Sequence, residues 1–167
     1  MESEGCEILN PADLLHHLCI AAGVGICVLL QYFFRTVFPL FLLDQFGIYI
    51  CDLSVSSLIL FKEQSKPGRC IVAYKDHVSE LVDISKEERD AFMDDVVKAA
   101  NALHKAFHPN KVNYGAYGDT GCHLHMHLVP KYEGGDEWGG TFQMNPQKTY
   151  LSDEEYEEMI QKIKENL

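Results

Sequence analysis

From Cys122 to Leu128 apolar and imidazole side chains alternate one for one, Cys-His-Leu-His-Met-His-Leu. A period of two belongs to a strand and not to a helix. His123, His125 and His127 therefore share one face of a sheet, and Cys122, Leu124, Met126 and Leu128 share the other. The apolar set needs a layer to pack against, and a long amphipathic helix upstream supplies it. Ser85 and Glu88 form a capping box, Phe92, Val96, Ala99, Leu103 and Phe107 recur at helical spacing, and Pro109 closes the element. A last helix opens on Ser152 and Glu155 in the same arrangement, with Tyr156, Met159, Ile160, Ile163 and Leu167 as its stripe. Short runs of strand character lie at 46–51, 58–61, 70–74, 112–116 and 123–129, punctuated by turns such as Lys66-Pro67-Gly68. Strands gathered about one long helix predict an α+β fold, with an antiparallel five-stranded sheet, one long helix and a C-terminal helix.

Lys plus Arg number 14 against 25 Asp plus Glu, a net charge of −11 over 167 residues. That balance argues against nucleic acid as a partner, because phosphate-backbone binders are basic. A small phosphorylated ligand stays compatible, since a pocket can be locally favourable in an acidic protein. Cys6, Cys19, Cys27, Cys51, Cys70 and Cys122 form no C-x-x-C pair, and read as reduced, buried thiols in a cytoplasmic chain with no cysteine-based zinc site.

Residues 1–45 differ from the domain that follows, 46–167. Leu14 to Phe34 carry no formal charge, and after Arg35 the apolar run resumes to Leu43. About 20 such residues suffice for a membrane-spanning helix, so membrane association through 14–43 is one expectation. Gly23, Gly25, Gln31 and Pro39 equally suit a helix packed in a core or dimer interface. A segment foreign to the domain is the third reading. Glu2, Glu4 and Glu7, with no leading Lys or Arg, do not fit a signal peptide.

Three imidazoles in a row are costly to desolvate and contribute little to packing. A solvated polar face would more often use Thr, Lys or Glu. A three-histidine metal site is a second reading, although collinear strand positions splay the outer rings away from a tetrahedral ion. Nucleophilic catalysis is the third: one ring attacks while its neighbours orient it, donate to oxyanions and carry protons. Gly115, Gly118 and Gly121 would let backbone amides approach an anion, or simply make a turn. His77 reads as a strand-end residue, and His104 and His108 as residues welcome at a helix C-terminus.

His-Leu-His-Met-His-Leu-Val resembles the signature of the histidine triad (HIT) family of nucleotide hydrolases and transferases. The resemblance extends to Lys62-Glu-Gln-Ser-Lys-Pro-Gly-Arg-Cys70, Lys75-Asp-His77 and Asn113-Tyr-Gly-Ala-Tyr-Gly-Asp119, about 100 of the 167 residues. It implies that His125 is the nucleophile toward an α-phosphorus, with His123 and His127 orienting it and bonding the phosphate or leaving group. It further implies that Asn113 and Thr120 contact the nucleotide, that no metal or other cofactor is needed, and that the chain forms a homodimer. The implied substrates are purine nucleoside 5′-phosphoramidates or dinucleoside polyphosphates. Arg69 stands where many members carry a fourth histidine; it cannot shuttle a proton but can offer a fixed charge to phosphate. In the glycine-rich stretch 134–142, Trp138 or Phe142 is expected as a specificity contact. The alternatives are a three-histidine metal-binding protein and a nucleotide-binding protein of weak catalysis.

Overall fold

The computed structural model describes residues 46–117, 123–135 and 137–167; the N-terminal segment, Thr120 and Cys122 lie outside them. Five strands form close to the expected positions: β1 (Gly47–Asp52), β2 (Ser56–Phe61), β3 (Cys70–Tyr74), β4 (Lys111–Gly115) and β5 (His125–Lys131). They make one antiparallel sheet in the order β1-β2-β3-β5-β4. The long helix α1 (Lys86–Phe107) links β3 to β4, and α2 (Asp153–Lys164) closes the domain.

Both helices start as their sequences require. The Ser85 hydroxyl accepts from the Glu88 amide while the Glu88 carboxylate accepts from the Ser85 amide, and Ser152 with Glu155 repeats the pattern. Each reciprocal cap satisfies two amides that no helical carbonyl can reach. At the other end of α1, His108 takes a left-handed conformation and returns its N–H to the His104 carbonyl, ahead of Pro109.

The core lies between the helices and one face of the sheet. Phe92, Val96, Ala99 and Leu103 of α1 pack there with Leu58, Leu60, Cys70, Val72, Leu124 and Leu128, joined by Tyr156 and Ile163 of α2. Full burial of each large side chain contributes about 1.5–3 kcal/mol. The opposite face carries Ile59, Phe61, Ile71 and Ala73. Register places His127 across from Ile71 and His125 across from Ala73, so both histidines fall on that second face.

Two polar clamps tie the frame together. Asp95 of α1 is buried, and its carboxylate accepts from the Ser54 and Val55 amides and the Ser56 hydroxyl, holding the β1–β2 turn against the helix. Glu63, also buried, accepts from the Lys148 and Thr149 amides, fixing a strap (residues 141–151) that runs from the site back to α2. Gly68 has φ 84°, and an added Cβ there would lie 2.6 Å from the Phe107 ring, so this turn requires glycine on two counts.

Candidate active site

The ordered ladder between β3 and β5 ends at the Ala73–His125 pair. Strand β5 thus starts at His125, two residues later than the alternation suggested, because the Leu124 amide turns aside to the Val78 carbonyl (2.7 Å). His123 is anchored beside this end. Its Nε2 lies 2.8 Å from the Tyr74 carbonyl, which can only accept, so Nε2 carries the proton. His77 stacks on the ring at 5.7 Å.

His125 is oriented by its own strand. Its Nδ1 sits 2.7 Å from the His123 carbonyl and must be the donor there. Nε2 is left with its lone pair. The His127 ring meets it edge to face at 5.0 Å, closer than the roughly 7 Å between alternate strand positions. A cleft of about 400 Å³ opens between residues 79–82 and Tyr117, with His123 and His125 in its wall.

Burial controls the outer histidines. It holds His127 down to about 3, with the Arg69 charge and then His125 pushing the same way. It holds His123 down to about 4; the bond to the Tyr74 carbonyl opposes the shift, while His77 and His125 add to it. Both rings are therefore neutral near pH 7.

Arg69 does not stand where a substrate could touch it. It is 1% exposed, its Nη1 donates to the Met144 carbonyl, and its Nη2 lies 3.3 Å from His127 Nδ1. The guanidinium lies 3.9 Å from the Phe61 ring centroid and 5.1 Å from that of Phe142. The expected contact with phosphate is thus replaced by one with His127, because the strap covers the side chain. Burial lowers Arg69 to about 10, with Glu63 opposing, so it stays charged at neutral pH.

A HIT domain matches residues 48–134, just over half the chain. The chain belongs to the HIT family. It is 28% identical over 101 residues to Protein hit of Bacillus subtilis (strain 168), a match covering 58% of this chain. That match spans 66% of the relative, just under two thirds of its length. A histidine triad protein of Sinorhizobium meliloti is similar in structure, with TM-score 0.70 and 25% identity over 75% of this chain and 93% of that one. A histidine triad protein of Bradyrhizobium japonicum gives TM-score 0.68 at 20% identity, over 74% and 92% of the two chains. At that identity it speaks for the HIT fold alone.

The other expected HIT site residues fall in different places. Asn113 is half-buried on β4, on the histidine face and two positions from Gly115, which pairs with His127. Thr120 is outside the described residues. Trp138 is 43% exposed in the turn after β5, its amide bonded to the Gly135 carbonyl. Phe142 rather than Trp138 reaches the site, in ring contact with Tyr117 at 6.0 Å.

Tyr117 is the residue that sequence reasoning overlooked. Its ring folds over Gly115, where a Cβ would lie 2.3 Å from ring carbon Cε2, and it approaches His127 at 6.0 Å. Two glycine-spaced tyrosines at 114 and 117 were the signal, but which of them turns inward depends on that bare glycine. Among the described residues, no group of three His, Cys, Asp or Glu side chains is arranged to hold a metal ion. The donor set disfavours one too. Each ring already commits one nitrogen to a protein partner, and Arg69 brings a positive charge against His127.

Proposed function

We propose that this protein hydrolyses or transfers nucleotidyl groups at the α-phosphate of purine nucleoside phosphoramidates or dinucleoside polyphosphates, by way of a covalent nucleotidyl-His125. The hydrogen bond from His125 Nδ1 to the His123 carbonyl carries this reading, because it leaves the Nε2 lone pair beside the cleft. A neutral imidazole so placed is nucleophilic near pH 7. In the first step Nε2 bonds to the α-phosphorus as the bond to the leaving group breaks. In the second, water attacks the same phosphorus, Nε2 recovers its electron pair, and the proton passes to solvent. His123 and His127 hold the attacking ring between them, and Asn113 on the same face is suited to the phosphate or sugar.

The test is AMP release from an adenosine phosphoramidate and from a dinucleoside tetraphosphate, in excess EDTA. Chelator-resistant turnover that falls at least about a thousandfold in His125→Ala is expected. Turnover abolished by EDTA, or retained in the variant, would overturn the covalent mechanism.

We infer too that two copies associate. Strand β4 is paired on one side only, and Met93 and Val97 stand exposed on α1. Sedimentation velocity of the full chain should give a dimer mass at micromolar concentration; a monomer mass there would overturn this inference.

A further inference from the structure

We propose that Arg69 is a positioning residue that locks His127 as its Nε2–H tautomer, and so suits the site to leaving groups that depart as phosphate oxyanions instead of amines. The proposal rests on the nucleotidyl-transfer reading above.

A guanidinium has N–H donors and no lone pair to offer. With Nη2 3.3 Å from His127 Nδ1, that ring nitrogen has to be the acceptor. The one proton of the neutral ring then sits on Nε2. Arg69 has little freedom to turn away, because Nη1 is held by the Met144 carbonyl and its plane rests on Phe61.

Nothing facing His127 invites a second proton. The groups around it are Arg69 ahead of β3, His125 on its own strand, Phe61 of β2, and Tyr117 after β4. Glu63, the carboxylate that most affects Arg69, is already accepting amides from the strap. His127 is thus a fixed, neutral hydrogen-bond donor, unable to serve as an imidazolium acid. His123 is neutral as well, with its Nε2 proton committed to Tyr74.

The bookkeeping of the first step follows. The His125 Nε2–P bond forms and the bond to the leaving group breaks, with the electron pair going to the departing atom. A phosphate or polyphosphate leaves as an oxyanion without needing a proton. An amine leaving from a P–N bond needs one, and neither outer histidine holds an acidic proton to give.

Two measurements on the full chain test this. The first is the long-range ¹H–¹⁵N spectrum of the histidine side chains, with His127 assigned through His127→Asn. One neutral, Nε2-protonated species is expected from about pH 8 to about pH 5, across the range where an ordinary imidazole titrates. In Arg69→Met, His127 should become a mixture of the two neutral tautomers, with burial still holding it below its ordinary value; Arg69→Leu, which likewise offers no donor, serves the same purpose if the methionine variant fails to fold. The second is the kcat/KM ratio for a dinucleoside tetraphosphate over an adenosine phosphoramidate. It should favour the tetraphosphate by about a hundredfold, the usual worth of a general acid, and narrow about tenfold or more in Arg69→His.

A His127 protonated on Nδ1, or titrating near its ordinary value in the unaltered protein, would overturn the positioning role. Equal turnover of both substrates with the tautomer locked would overturn the leaving-group preference. Cleavage of neither substrate beside a locked tautomer would sink the nucleotidyl reading and leave the positioning of His127 standing.

Discussion

Lowering the pH from 7 to 5 should remove about 4 kcal/mol of folding stability through two residues. His123 and His127 are held in the folded protein at about 4 and about 3. In the unfolded chain each returns to an ordinary value of about 6.5. Between those values the unfolded state binds more protons than the folded one, so stability rises with pH. The contribution is present above about pH 6.5 and is lost as pH falls toward the folded values. At pH 7 roughly a quarter of each unfolded imidazole is protonated, and at pH 5 nearly all of it, while the folded rings stay mostly neutral. Integrating the linkage gives about 2 kcal/mol per residue across that window, against about 5–15 kcal/mol for a whole domain. The two glutamates held below their ordinary range, Glu88 and Glu137, contribute at lower pH and leave this window to the histidines. Urea denaturation at both pH values, on the unaltered chain and on a His123→Asn/His127→Asn variant, reads the effect as a difference of slopes. The unaltered chain should lose about 4 kcal/mol more than the variant. Parallel losses, within about 1 kcal/mol of each other, would refute buried neutral rings as the cause.

Two perturbations away from the titrating groups follow from the packing. Asp95→Ala leaves the Ser54 and Val55 amides and the Ser56 hydroxyl without their carboxylate, a loss of about 3 kcal/mol, or roughly 10 °C in a thermal melt. A melting point unchanged within about 2 °C would show the β1–β2 turn to be held by other means. Gly115→Ala drives a Cβ into the Tyr117 ring, which is 45% exposed and free to swing outward. Stability should therefore change by less than about 1 kcal/mol while KM rises several-fold, which steady-state kinetics beside a melt would separate.

The elements were legible because each is short-range physics. Reciprocal caps mark both helix starts, the spacing from Phe92 to Leu103 selects one face of α1, and alternation through β5 selects one face of the sheet. Those signals need only neighbours in the chain. The surroundings of Arg69 were not legible, since its partners Phe61, His127 and Met144 come from three separate stretches, and Met144 lies in a strap without periodicity. An arginine beside a turn ordinarily reads as solvated. Glu63 escaped for the same reason: its partners lie 85 and 86 residues downstream. The exact start of β5 was hidden because the Leu124 amide finds its acceptor at Val78, outside any strand.

The His125 ring is anchored by a carbonyl of its own backbone, that of His123, two positions beyond the last β5 residue paired with β3. In the interior of a sheet that oxygen would be consumed by a neighbouring strand, and His125 would be free to spin. The ring can be aimed in this way only because the pairing stops where it does. Extending the pairing of β5 on its β4 side would make a tidier sheet and, by taking the His123 oxygen, would release the ring that this oxygen now aims.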